Sequence, residues 1–173
     1  MRHARTFASL VAALALSGAA GLALAQGQAP APAAPSVPQY GPNVNYEQAR
    51  RIVAGAIAEA RRINVPMAVT VVDTAGHLVM FEKMDNTQTA SIAVSQDKAV
   101  SAATYRRPTK VFQDGLAAGG VNLRFLTLRG AVAVEGGIPL MADGRIIGAI
   151  GVSGGSSDQD GVVAAGGVAA LSR

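Results

Sequence analysis

The chain has 173 residues, 15 lysines and arginines against 11 aspartates and glutamates, a formal net charge of +4, and no cysteine. Without cysteine it forms no disulfide and carries no lipoprotein anchor, and with histidine only at His3 and His77 it cannot build a structural zinc site. The arginines occur in pairs at Arg50-Arg51, Arg61-Arg62 and Arg106-Arg107, but no aromatic-interleaved basic stripe accompanies them, which argues against nucleic acid as a partner.

Arg2 and Arg5 precede an apolar, alanine-rich run from Phe7 to Leu24, and Ala23-Leu24-Ala25 matches the A-x-A pattern of a cleavage site. Residues 1–25 therefore read as a signal peptide. An uncleaved anchor is the alternative, since the run is nearly long enough to span a bilayer. Small residues and the A-x-A site favour cleavage, which leaves no stable membrane anchor and a periplasmic or secreted protein. Cleavage also removes two arginines and halves the positive excess. Residues 26–42 hold five of the eight prolines and little apolar matter, and read as a flexible leader. The folded domain is expected over 43–173.

Order begins at Asn45, an N-cap candidate with Gln48 three residues on, as in a capping box. Ala49, Ile52, Val53, Ala56, Ile57, Ala60 and Ile63 follow the helical period, and Asn64-Val65-Pro66 stops the helix. Met67 to Val72 and His77 to Lys83 form a strand pair joined through Asp73-Thr74-Ala75-Gly76. Gln88 to Thr104 reads as a helix with Ile92, Ala93, Ala99, Val100 and Ala103 available for burial. Pro108 interrupts it, and Thr109 is placed to cap a short helix that ends at Gly119-Gly120. Val121 to Leu128 fits either an irregular connection or a short helix. Strands are expected at Ala131 to Glu135, Ile138 to Ala142 and Arg145 to Val152, the last two joined by an Asp143-Gly144 turn. A helix from about Ser157 to Leu171 closes the chain, with Asp158 and Asp160 at the positive end of its dipole. Two groups of hairpin-connected strands separated by helices make an α/β (α+β) domain with an antiparallel sheet under helical cover.

Gly151-Val152-Ser153-Gly154-Gly155 satisfies the G-x-S-x-G pattern at a strand-to-helix junction. A hydrolase elbow places its histidine after the serine and needs a parallel sheet, whereas His77 comes first and the sheet reads antiparallel. Close helix–strand packing explains these glycines better. His77 is the best single donor for a metal or haem iron, against the alternative of an ordinary surface side chain. The Tyr105-Arg106-Arg107-Pro108-Thr109 corner combines an aromatic, two guanidiniums and a hydroxyl, a composition suited to a flat carboxylate-bearing ligand; a helix break with solvated arginines is the alternative.

Val71-Val72-Asp73-x-x-Gly76-His77-Leu78-Val79, Lys83-Met84-Asp85, Lys98-Ala99, Pro108-Thr109, Gly136-Gly137-x-Pro139, and Ile147 to Gly155 ending at Asp160 together resemble the GlcG/HbpS family of haem-binding proteins over Asn43 to Leu171. The resemblance implies a profilin-like three-layer α/β/α fold around a five-stranded antiparallel sheet, self-assembly into a homo-oligomer, and haem as cofactor. It implies a binding protein rather than a dedicated enzyme, with a haem-handling, slow haem-degrading or redox-sensing role. Thr109 is the nearest match to an iron-contacting threonine. In the resulting site His77 or Thr109 approaches the iron, Tyr105 offers its ring, and Arg106, Arg107 or Lys110 meets the propionates. Two other classes compete. One is an enzyme or accessory factor acting on a small organic acid or aldehyde near Asp73, Lys98 and Ser153; the other is an assembly domain with no ligand.

Overall fold

A computed structural model describes residues 37–172; the signal-peptide segment and most of the leader lie outside the described residues. Helix α1 (Tyr46–Arg62) opens with the expected capping box, the Asn45 side chain accepting from the Gln48 N–H and the Gln48 side chain from the Asn45 N–H, both at 2.9 Å. Its apolar stripe is buried from Ala49 to Ala60. Strands β1 (Ala68–Val72) and β2 (Leu78–Lys83) form the first hairpin, and β3 (Gly137–Ala142) and β4 (Arg145–Ser153) the second. Asp143 and Gly144 both have positive φ at the second turn, as an Asp-Gly hairpin requires. Antiparallel pairing of β1 with β4 joins the hairpins into a four-stranded sheet of order β2-β1-β4-β3.

Strand alternation divides the side chains between two faces. Val69, Val71, Ile150 and Val152 enter the larger core with α1 and α4 (Ser157–Ala170), while Val72 and Ala149 meet Ala99, Ala102 and Ala103 of α2 (Ser91–Tyr105) on the other side. Helices thus cover both faces. The α2 layer is unusually close: a Cβ at Gly151 would strike the carbonyl of Ser95 and the backbone of Ala99, and one at Gly137 the carbonyl of Lys98. Those glycines are the space α2 occupies.

Among the described residues the sheet has four strands where five were expected. Residues 131–135 run as coil because helices take the N–H groups a strand would need: the Val132 N–H donates to the Ser101 hydroxyl at 3.0 Å and the Glu135 N–H to the Gln113 side chain at 2.8 Å. The burial pattern of α2 also differs from expectation. Ser91, Ser95, Lys98 and Ser101 are inside and Ala93 is exposed: the serines fit a face that needs small side chains, and Lys98 is buried because Asp160 pairs its charge. Buried hydroxyl pairs satisfy it, Thr70 with Ser95 at 2.9 Å and Ser153 with Ser91 at 3.1 Å. The undecided segment after α3 (Lys110–Ala118) is a 3-10 helix over Gly120–Thr127.

The end of the expected leader is tied to the sheet and α2: the Gly41 N–H donates to the Ile146 carbonyl at 2.8 Å and the Tyr40 hydroxyl to the Ala103 carbonyl at 2.9 Å.

Candidate functional site

Pro108 decides where α2 ends. A residue before proline is steered away from helical backbone, so the chain leaves the helix ahead of Arg107, through Arg106 in the left-handed conformation with φ 54°. For a side chain with a Cβ this costs on the order of 1 kcal/mol, and glycine is the usual occupant. The turn carries the Arg106 guanidinium over the Tyr40 ring, 5.4 Å from its centroid, with Nη1 3.5 Å from the Pro38 carbonyl. Beside that stack lies a groove of about 270 Å³ whose walls include Pro38, Arg106, Pro108, Pro139, Met141 and Ile146. Apart from Arg106, those side chains are apolar.

The other residues expected at this corner do not join Arg106 there. Arg107 is exposed, lies 5.8 Å from the Phe112 ring centroid and donates from Nε to the Tyr105 carbonyl at 3.1 Å. Lys110 pairs with Asp114 at 2.8 Å and sits 3.6 Å from Glu135. These carboxylates raise the Lys110 pKa, the hydrogen bond to Asp114 being the largest cause. The Tyr105 hydroxyl donates to the Arg129 carbonyl at 2.8 Å, and its ring meets Phe112 edge-on. Thr109 is the clearest correction. It is fully buried, its Oγ1 accepts the Gly137 N–H at 3.0 Å and its own N–H donates to the Gly137 carbonyl. That hydroxyl does not cap α3; it is engaged in holding the start of β3.

His77 stands apart on the turn between β1 and β2. Asp73 organises that turn: one carboxylate oxygen accepts the N–H groups of Ala75 and His77 at 2.8 and 2.9 Å, and the other is 3.2 Å from His77 Nδ1. Burial pushes the Asp73 pKa up, but the backbone N–H groups of His77 and Ala75 and the imidazole together outweigh it and hold the carboxyl below its ordinary value. With Nδ1 engaged, Nε2 is the free ring nitrogen of a largely exposed side chain. Asp73 is its side-chain hydrogen-bond partner, and no hydrogen bond joins it to the groove residues among the described residues.

Lys98, Asp160 and Ser153 are buried around the entry to α4 and close on one another. Lys98 Nζ donates to Asp160 at 2.6 Å and to the Val152 carbonyl at 3.1 Å, and the second Asp160 oxygen accepts the Gly155 N–H at 3.0 Å. Burial raises the Asp160 pKa against the opposing pull of Lys98. Ser153 is spent on Ser91, so neither the G-x-S-x-G serine nor Lys98 is presented to a substrate. Asp73 lies in the other hairpin's turn, apart from the buried Lys98–Asp160 pair and Ser153. Of the groove's walls the sequence pointed to Arg106 and Pro108 but not to Pro38, Pro139, Met141 or Ile146. Pro139 and Met141 share a face of β3 by strand periodicity, and Met141 is directly paired with Ile146, a register visible only once the hairpin is built.

Over this framework, a family model described as haem degrading protein HbpS-like matches residues 44–169. The chain belongs to the HbpS-like family. Among curated HbpS-like relatives, GlcG of Escherichia coli K12 is 36% identical over 110 residues, covering 64% of this chain and 81% of GlcG. A crystal structure of a PduOC:heme complex superposes with a TM-score of 0.67 and 27% identity, over 74% of this chain and 94% of that one. A double mutant of Streptomyces reticuli HbpS superposes with a TM-score of 0.67 and 26% identity, over 82% and 96% of the two chains. The HbpS-like match spans both hairpins and α2, and so includes the Asp73–His77 turn, Lys98, and β4 with its glycines.

Proposed function

We propose that this chain is an exported haem-binding protein and that the porphyrin sits on the groove beside Arg106. The observation that carries the reading is the Arg106 corner itself: a guanidinium held in a backbone conformation that disfavours it, at the edge of an apolar shelf, with no carboxylate partner among the described residues. A porphyrin presents an apolar disc and carboxylates at its rim, and this donor set fits both parts. The HbpS-like family and the haem-bound structural neighbour support the same ligand class, and the Ala23-Leu24-Ala25 site supports export. Bound haem would supply the redox-active iron. The chain's residues hold and orient: Pro139, Met141 and Ile146 exclude water from one face and Arg106 pairs with a propionate.

At about 270 Å³ the groove is smaller than pockets that engulf a ligand of this size, roughly 300–1,000 Å³. It covers one face of a disc and leaves the other open. A second copy of the chain laid over the open face would close it. Hemin titration followed at the Soret band tests the reading. Wild type should saturate, and Arg106→Gly should weaken binding about tenfold while leaving the fold intact, because glycine prefers the left-handed position. Equal affinity in the two proteins would remove the groove as the seat, and absence of saturable binding in wild type would remove haem.

A further inference from the structure

We propose that the cleft between the Asp143-Gly144 turn and the first turn of α1 binds a small zwitterion, an aliphatic α-amino acid, an inference independent of the haem reading. The cleft has a volume of about 470 Å³, within the roughly 300–1,000 Å³ of small-molecule sites. Its polar walls are Asn43, Asn45, Gln48, Asp143 and Arg145, and Ala142 and Ile147 supply apolar surface.

The segments that meet there are fixed to one another. The stretch before α1 is bonded to β4, the Gly41 N–H donating to the Ile146 carbonyl at 2.8 Å and the Val44 N–H to the Ile147 carbonyl at 2.6 Å. Gly41 lets that stretch close on Arg145: a Cβ there would lie 3.0 Å from the Arg145 Cβ and 3.5 Å from its Cδ, so the Arg145 stem is seated against backbone. Arg145 in turn pairs with Ala142 across the turn that carries Asp143.

Hydrogen bonds within the protein take up the amide acceptors of the cleft and spare the donors. Asn43 Oδ1 accepts the Thr74 hydroxyl at 2.6 Å and the Thr74 N–H at 3.2 Å. Asn45 Oδ1 and Gln48 Oε1 are each spent on the other residue's backbone N–H in the capping box. A carboxamide whose oxygen is taken has its NH2 donors left. Asp143 and Arg145 are neighbours on one turn, yet neither enters an ion pair among the described residues. What remains is one cation, one anion and amide N–H donors beside an apolar strip.

An α-amino acid is the complement, with opposite charges attached to a single carbon. The Arg145 guanidinium and the amide N–H groups take its carboxylate, Asp143 takes its ammonium, and Ala142 and Ile147 meet an aliphatic side chain. A simple carboxylate would bring its charge against Asp143, and a simple amine would bring its own against Arg145. A sugar would use the donors and leave both charges uncompensated.

Isothermal titration calorimetry of the full chain tests this with L-leucine, 4-methylpentanoate, which lacks the ammonium, 3-methylbutylamine, which lacks the carboxylate, and D-glucose. L-leucine should bind saturably and about tenfold or more tighter than each of the others. Asp143→Asn and Arg145→Gln should each weaken L-leucine about tenfold. In Asp143→Asn its affinity should converge on that of 4-methylpentanoate, and in Arg145→Gln on that of 3-methylbutylamine. Asparagine tolerates the left-handed backbone at 143, glutamine keeps the stem against Gly41, and both positions are exposed, so the unfolding midpoints should not move. No saturable L-leucine binding, equal affinity for either one-charge analogue, tighter binding of D-glucose, or an unchanged L-leucine affinity in either variant overturns the proposal, and none of these outcomes bears on hemin binding.

Discussion

Helix α2 carries one cation along its length and delivers another at its end, and the fold treats them in opposite ways. Lys98, 1% exposed, is clamped between Asp160 and the Val152 carbonyl. Arg106 is half-buried, stacked on Tyr40, and faces a groove with no carboxylate on it among the described residues. A buried charge pair joins α2 to α4 and has no capacity left for a ligand, whereas an unpaired guanidinium beside apolar surface has its valence open. Conspicuous chemistry in a sequence therefore divides into groups the fold uses up and groups it leaves available. Lys98, Ser153, Asp160 and Thr109 belong to the first set, Arg106 to the second.

That division fails if the spent groups can be removed cheaply. Lys98→Met should destabilise the protein by about 3–5 kcal/mol in denaturant unfolding, because it leaves the Asp160 carboxylate buried without its partner. Replacing both members with apolar residues of similar volume should cost less than either single change, and the double-mutant cycle measures the coupling. Thr109→Val is expected to cost about 1–3 kcal/mol by stranding the buried Gly137 N–H. Its hemin spectrum should match wild type. A spectrum changed by Thr109→Val at unchanged stability would move Thr109 back among the available groups.

The parts legible in the sequence were those set by local rules. The Asn45–Gln48 box, the α1 stripe and the Asp143-Gly144 turn each depend on residues within a few positions, and each formed as read. The expected strand at 131–135 failed for a non-local reason, since its N–H groups are claimed by Ser101 and Gln113 from two helices. On the inner face of α2, Ala99 and Ala103 were legible, whereas Ser91, Ser95 and Ser101 were hidden because they hold helical phase by size rather than hydropathy, and Lys98 because its charge is paired with Asp160. At the site, Arg106 was legible through the Tyr105–Thr109 corner, but the separation of Arg106 from Arg107 and Lys110 follows from one left-handed residue. Met141 was not legible as a groove residue because its pairing with Ile146 follows a register shift that skips Ile147 on β4.

The mildest change examines the remaining pair, Asp73 and His77. Asp73→Asn keeps an oxygen for the Ala75 and His77 N–H groups but loses the charge, so the loss at neutral pH should be only about 1 kcal/mol. The folded carboxyl titrates below its unfolded value of about 3.9, so the native state binds fewer protons than the unfolded chain through that window. Its stabilisation is complete above the unfolded pKa and disappears as pH falls through the folded one. The difference between wild type and Asp73→Asn in urea unfolding should accordingly hold steady from neutral pH down to about 5 and shrink below about 4. Hemin binding should not change, because Asp73 orients an imidazole on the turn between β1 and β2 and not in the Arg106 groove. A Soret band displaced by Asp73→Asn would place the iron on His77 Nε2, with Asp73 as its orienting carboxylate, and would make the turn rather than the end of α2 the region this fold leaves open for a ligand.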